Sequence, residues 1–143
     1  MARITYVEKE NAPDNVKAVY EQLEKTFGMV PNVLKGMANS TELFMGFMPF
    51  LGAALGPSKV DNATKELAIL TTSKLNGCNY CTTHHTAAGK RAGLTDEKLA
   101  ATPDETSPAF DDREKAVVRF SKELAQNVAA SQESLDELRK YFD

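Results

Sequence analysis

Apolar residues recur along this chain at the three- to four-residue spacing that is typical of amphipathic helices. Val16, Tyr20 and Phe27 form one such face, and Gly28 ends the helix that carries it. No stretch alternates between apolar and polar residues for long enough to predict a β-strand. The pattern therefore predicts an all-α fold of seven or eight helices, in a single domain that spans residues 1–143.

Capping residues, prolines and glycines divide this pattern into separate helices. Residues 1–10 show no helical period, and we expect them to form an extended N-terminal arm. The predicted helices cover approximately residues 14–27, 31–37, 41–55, 62–76, 78–92, 95–101, 112–128 and 132–142.

Two of these helices have unusual apolar faces. Helix 41–55 carries Met and Phe residues along one side, which predicts a core or subunit interface and is also compatible with the wall of an apolar substrate pocket. Helix 62–76 contains the run Leu67-Ala68-Ile69-Leu70, which is apolar on every side for one turn. This run predicts that the helix lies at the centre of the fold.

Charge and composition exclude several classes of partner. The net charge is −3 over 143 residues, and no basic run indicates a nucleic-acid partner. The apolar stretches are far shorter than the ~18 residues of a membrane span, so we expect no membrane partner. The first ten residues lack the apolar segment of a signal peptide. We therefore expect a cytoplasmic protein.

The reactive side chains are concentrated in residues 77–85, which contain both cysteines and both histidines of the chain. At about 100° per residue in a helix, Cys78, Cys81 and His85 fall within roughly 60° of one another. His84 lies about 100° from His85 and outside that face. The sequence therefore predicts two thiols and one imidazole on a single patch.

A dithiol redox site is the first interpretation of this patch. Cys78 stands at a predicted helix N-terminus, where the dipole and the N–H groups favour a thiolate. Two cysteines three residues apart can alternate between dithiol and disulfide with little motion. This chemistry suits peroxide reduction through a sulfenic acid, followed by disulfide formation and reset by an external dithiol.

Two other interpretations start from the same residues. Zinc could use Cys78, Cys81 and one histidine, but a tetrahedral site needs a fourth ligand, and ligands from one helix suit that geometry poorly. We therefore predict no metal and no cofactor. The remaining alternatives are a pair of inert thiols on a packed helix and a non-enzymatic helical oligomerisation module, which zinc could stabilise.

The spacing of four residues resembles a known family. Glu66, Cys78, Cys81 and His85 match the pattern E-x11-C-x-x-C-x3-H of the alkyl hydroperoxidase D-like (AhpD-like) branch of the carboxymuconolactone decarboxylase family. The similarity covers about residues 10–100. It implies an all-α fold, homotrimers or homohexamers, and thiol-dependent reduction of a hydroperoxide with an external dithiol or thioredoxin-like reductant.

The resemblance also implies a role for each residue. Cys81 is the attacking thiol, and Cys78 is its partner in a redox disulfide. Glu66 and His85 form the proton relay, and a carboxylate beside an apolar turn suits that task. The alternative for Glu66 is a partly exposed carboxylate paired with a lysine such as Lys65.

Tyr80 departs from the pattern, because peroxide-reducing members carry a histidine between the cysteines. Tyrosine is a much weaker base near neutral pH. Either the proton relay is shorter here, or the Tyr80 hydroxyl positions water or substrate without taking a proton. A thiol–disulfide oxidoreductase with another substrate is therefore an alternative. A cofactor-free decarboxylase of the lactone-processing branch is a further one, although the resemblance implies that those members lack the cysteine pair.

Overall fold

The computed structural model describes residues 3–142 and is helical throughout, with no strand among those residues. The predicted all-α class is confirmed, and so is the number of helices. The eight helices are α1 (Asp14–Phe27), α2 (Asn32–Met37), α3 (Thr41–Leu55), α4 (Asn62–Leu75), α5 (Asn79–Arg91), α6 (Asp96–Ala101), α7 (Asp112–Asn127) and α8 (Gln132–Leu138).

Side-chain caps fix where most of these helices begin. An oxygen of the N-cap residue accepts a hydrogen bond from a backbone N–H of the first turn, which would otherwise lack a partner. At α7 the bond is reciprocal, since Glu114 also accepts from the backbone N–H of the cap residue Asp111. The residues that cap in this way are Ser40, Asp61, Thr95, Asp111 and Ser131.

Contacts between helices divide the chain into two compact units, of which the first ends at Gly56 and the second begins at Pro57. The single-domain organisation therefore stays a prediction. In the first unit, Tyr20 is fully buried, and its ring meets Phe44 edge-on at a centroid distance of 5.8 Å. Phe47 and Met48 pack against the same cluster. The predicted core role holds for this part of the apolar face of α3. Leu43 and Leu55, on the same face, are 59% and 37% exposed.

The N-terminal arm is held by hydrogen bonds to the helices of its own unit. The N–H of Val7 donates to the carbonyl of Lys35 at 3.1 Å, and the Tyr20 hydroxyl donates to the Val7 carbonyl at 3.0 Å. The arm is not extended to residue 10 as predicted, because Lys9–Asn11 forms one turn of 3-10 helix. The N–H of Asn11, which donates to Glu8, closes that turn. Residues 1 and 2 lie outside the described residues.

In the second unit, α4 is the central helix and packs against both α5 and α7. Leu67 is 1% exposed and Leu70 is fully buried, so the predicted central burial of α4 is confirmed. Gly89 lets α5 come close to this core, because a Cβ atom there would lie 3.1 Å from side-chain carbons of Leu94 and Leu99. Phe110, Val117 and Val118 complete the buried cluster.

Lys74 joins the end of α4 to the end of α6. Its ammonium donates to the carbonyls of Leu99 at 2.6 Å and Thr102 at 2.7 Å. These carbonyls lie at the C-terminus of α6, where the backbone lacks helical partners. Burial lowers the pKa of Lys74, while the two carbonyls stabilise its charged form.

Candidate active site

A tight turn between α4 and α5 positions the cysteines. Gly77 adopts a φ of 64°, in the left-handed region that glycine enters at little cost. The N–H of Cys78 then donates to the Ser73 carbonyl at 2.9 Å, so the end of α4 directly supports the first cysteine. The sequence Asn76-Gly77, predicted to stop α4, thus also determines where α5 begins.

Cys78, the predicted first residue of this helix, is the N-cap residue of α5, which begins one position later at Asn79. Its Sγ accepts a hydrogen bond from the backbone N–H of Cys81 at 3.2 Å. The same two residues form a disulfide, with their Cα atoms 5.3 Å apart. Both side chains are partly buried. The two thiols that the sequence places on one patch are therefore brought together by the first turn of α5.

Glu66 and His85 form the second half of the site. Oε2 of Glu66, on α4, lies 2.7 Å from Nδ1 of His85, on α5. The Glu66 side chain is 13% exposed and that of His85 is 27% exposed, so water reaches this contact only in part. The contact joins the carboxylate to Nδ1 and leaves Nε2 of the ring to exchange a proton with another group.

The four residues of the sequence pattern therefore lie in two direct contacts, one disulfide and one carboxylate–imidazole bond. His85 follows Cys81 by one helical turn on α5, as the spacing predicts. The carboxylate of Glu66 binds His85, which is the contact that the proton relay requires.

Tyr80 and His84 lie on a different part of α5. Their ring centroids are 4.3 Å apart with an interplanar angle of 52°. Tyr80 is 39% exposed, which places its ring at the surface beside the disulfide. His84 thus has an aromatic contact, in agreement with the prediction that it lies outside the reactive face.

An apolar groove of about 600 Å³ begins at the disulfide and belongs entirely to the second unit. Both cysteines line it, together with residues of α4, α7 and the C-terminal segment. The other lining residues are Val60, Thr64, Ala68, Ile69, Thr72, Ser73, Asn76, Val117, Phe120, Ser121, Leu124, Leu138 and Phe142.

Sequence reasoning missed this groove, because it sought a pocket wall on the Met- and Phe-rich face of α3. The groove residues instead come mainly from α4 and α7, with the two cysteines at the start of α5, Leu138 at the end of α8 and Phe142 beyond it. One signal was present in the sequence. Phe120 and Leu124 stand four residues apart, which places both on one face of the predicted helix 112–128. In the structure Leu124 is 43% exposed.

Two absences concern the described part of the chain. Among residues 3–142, no group of three or more His, Cys, Asp or Glu side chains is placed to hold a metal ion. None of the helices in that range has both the length and the apolar character needed to cross a membrane.

Comparison with known proteins identifies a family and a fold. The model of the carboxymuconolactone decarboxylase family matches residues 41–123, a segment that includes the cysteine pair, Glu66 and His85. No curated protein matches the sequence.

Solved structures with the same fold cover almost the whole chain. The debrominase Bmp8 has a TM-score of 0.83 at 22% identity, with 100% of this chain and 77% of that chain covered. An uncharacterized peroxidase-related protein from Silicibacter sp. TM1040 has a TM-score of 0.82 at 21% identity, covering 100% and 80%.

A third structure carries the fold that the sequence pattern implied. It is the alkylhydroperoxidase AhpD core of an uncharacterized peroxidase-related protein from Ralstonia eutropha JMP134. Its TM-score is 0.81 at 20% identity, with 99% of this chain and 76% of that chain covered. The predicted AhpD-like fold is thereby confirmed.

Proposed function

We propose, from the premise that this chain belongs to the carboxymuconolactone decarboxylase family, that it is a thiol-dependent hydroperoxide reductase. One observation carries the proposal. A C-x-x-C disulfide and a carboxylate–imidazole contact lie on the same two helices, with His85 one turn beyond Cys81. Inert thiols would not require a partly buried carboxylate–imidazole contact next to them.

The first step is oxidation of one cysteine. The Cys81 thiolate attacks the outer oxygen of the hydroperoxide, so that an S–O bond forms and the O–O bond breaks. Cys81 becomes a sulfenic acid and the peroxide is reduced. The alkoxide that leaves takes one proton and departs as the alcohol.

The second step closes the disulfide. The Cys78 sulfur, as thiolate, attacks the Cys81 sulfur, an S–S bond forms, and hydroxide leaves and is protonated to water. The pair has then lost two electrons to the peroxide. An external dithiol or a thioredoxin-like reductant returns them by thiol–disulfide exchange and resets the site.

Glu66 and His85 supply and receive the protons of these steps. His85 takes the thiol proton at Nε2, while Glu66 holds Nδ1 and stabilises the imidazolium that forms. The same imidazolium can return the proton to the leaving alkoxide. The phenol of Tyr80 is a weaker base than the imidazole that other members carry at this position. We therefore propose that its hydroxyl positions water or substrate.

The setting of the reaction follows from the family resemblance. We place the protein in the cytoplasm as a homotrimer or homohexamer, where thiol reductants are available. Light scattering of purified protein tests the assembly, and a monomer would contradict it.

The test is a thiol count combined with peroxide consumption. Fully reduced protein should lose two thiols per chain after one equivalent of hydroperoxide, and added dithiol should restore both with continued turnover. The Cys78→Ser, Cys81→Ser double variant is the matched control and should consume none. Retention of both thiols in the unaltered protein would contradict the proposal.

A thiol–disulfide oxidoreductase is the second candidate, and the replacement of histidine by Tyr80 is the observation that favours it. Such an enzyme would reduce a disulfide substrate through the same cysteine pair. Rapid exchange with small disulfides, with no reaction toward any hydroperoxide, would select this candidate.

A further inference from the structure

The groove beside the disulfide carries no charged side chain along its lining. Most of its lining residues are apolar, and two of its hydroxyls already have hydrogen-bond partners. Thr72 donates to the carbonyl of Ala68 at 3.1 Å, and Thr64 donates to Asp61 at 2.9 Å. These hydroxyls therefore do not offer their protons to an anion in the groove.

The groove is elongated because it follows α4. Its lining residues on that helix run from Thr64 to Asn76, which at the helical rise corresponds to about 18 Å. Asn76 and the sulfurs lie at one end. Val60 and Phe142 lie at the other, since Arg113 contacts both Phe142 and the N-cap residue of α4.

We propose that this groove binds the organic part of the peroxide and selects uncharged organic hydroperoxides over those that carry a carboxylate. The proposal rests on the peroxide reductase function above. An apolar body placed along α4, Phe120 and Leu124 would bring its –OOH group to the sulfurs and gain from leaving water.

A carboxylate on that body would lose its hydration and find no cation in the lining. The other polar lining residues, Ser73, Ser121 and Asn76, offer only neutral hydrogen bonds. Arg113, the cation beside the groove residue Phe142, already binds Asp61 at 2.8 Å, and its guanidinium lies 4.7 Å from the Phe142 ring centroid. The groove therefore discriminates by charge, and an ester of the same shape should be accepted where the acid is refused.

Three probes of one shape test this selection. They are cumene hydroperoxide, its 4-carboxylate and the methyl ester of that carboxylate. Pre-reduced full-length protein is mixed with each, and loss of thiols is followed in a single turnover, so that no particular reductant is required. We expect the parent and the ester to react at similar rates and the carboxylate to react about tenfold slower or more.

A charge placed in the groove should reverse the selection. Leu124 lines the groove but is 43% exposed, so we expect the Leu124→Lys variant to fold. The new ammonium would then lie beside the bound ligand. This variant should raise the rate with the carboxylate relative to the ester. Gln126→Lys adds the same charge two residues away, outside the lining, and should leave the ratio unchanged. Leu124→Gln separates the effect of charge from the loss of leucine.

The outcomes distinguish this inference from the function on which it rests. Equal rates for all three probes, with peroxide consumed, would leave the reductase function standing and overturn the selection. If no peroxide reacts, the reductase function fails, and calorimetric binding of the three corresponding alcohols decides the selection alone. Tighter binding of the uncharged alcohols supports it, and equal binding of the charged one overturns it.

Discussion

Glu66 and His85 are nineteen residues apart in the sequence, and their side chains meet at 2.7 Å between Oε2 and Nδ1. The contact joins α4 to α5 at the level of the cysteine pair. It fixes which ring nitrogen of His85 faces the carboxylate and leaves the other for proton exchange. In the relay proposed for thiolate formation, Nε2 of His85 therefore accepts the thiol proton and Glu66 holds the ring at Nδ1.

Replacing Glu66 tests whether its carboxylate stabilises the His85 imidazolium. Glu66→Gln keeps the size and an oxygen that can accept from Nδ1, but removes the negative charge that stabilises the imidazolium. We expect the rate of the reduced thiols with peroxide near pH 7 to fall by about 100-fold. Alkylation rates measured across pH provide the readout. Glu105→Gln, which alters the ion pair with Lys122, is the control and should leave these rates unchanged.

The two cysteines should give different products when each is replaced. With Cys78→Ser, the Cys81 sulfenic acid has no partner and should persist after peroxide, where mass spectrometry detects it as one added oxygen. With Cys81→Ser, peroxide consumption should stop. A sulfenic acid found on Cys78 would reverse the roles, which is the arrangement that the N-cap position of Cys78 favours by itself.

Tyr80 should matter much less than Glu66. Its ring is 39% exposed and contacts His84, so Tyr80→Phe keeps the aromatic contact and removes only the hydroxyl. We expect a decrease in peroxide rate of less than about tenfold, because a group that only positions water contributes less than a general base. A decrease equal to that of Glu66→Gln would show that the hydroxyl takes part in proton transfer.

Local sequence signals were sufficient for the helices of this fold. Caps such as Ser40 and Ser131 act within one turn of their own helix, so their effect is readable without knowledge of the rest. Lys9–Asn11 was missed because a single 3-10 turn has no apolar period. The bonds of Lys74 to Leu99 and Thr102 were missed because they depend on how helices pack.

The candidate site divides in the same way. The approach of Cys78 and Cys81 follows from helical spacing alone, and the link from Glu66 to His85 came from the family pattern. The groove could not be predicted, because α4 meets α7 and the C-terminal segment only through tertiary packing. Arg113 and Asp61, which lie beside its far end, are fifty-two residues apart.

The ion pair of Asp61 and Arg113 should make stability depend on pH in the acid range. Hydrogen bonds from the Arg113 guanidinium, and next from the Thr64 N–H, lower the pKa of Asp61 from 3.8 to about 2. A carboxylate with a lowered pKa stabilises the folded state above pH 4 and loses that contribution as the pH falls toward 2.

Asp61→Asn tests this dependence, since asparagine can still cap α4 but does not titrate. The free energy of unfolding of the variant should change less between pH 4 and pH 2 than that of the unaltered protein, measured by urea unfolding at each pH. Asp112→Asn, an exposed carboxylate at the start of α7, is the control. An equal decrease in the free energy of unfolding between pH 4 and pH 2 in Asp61→Asn and the unaltered protein would contradict the role given to Asp61.

Val128 offers a simple gain in stability. It ends α7 with a φ of 62°, a left-handed conformation that is costly for a β-branched residue, and its side chain is 90% exposed. Val128→Gly should raise the free energy of unfolding by about 1 kcal/mol, because the relief of strain exceeds the entropy cost of glycine. Ala129→Gly, where φ is negative, should lower it, and urea unfolding compares the two.

Lys74 serves the redox turn as well as α6. Besides the two carbonyls that its ammonium binds, its own backbone carbonyl accepts from the N–H of Gly77 at 3.1 Å, directly before Cys78. The turn that carries the first sulfur and the end of α6 thus share one anchor. Such an anchor suits a catalyst that alternates between dithiol and disulfide. The change of oxidation state then moves the two cysteine side chains and leaves the helices in place.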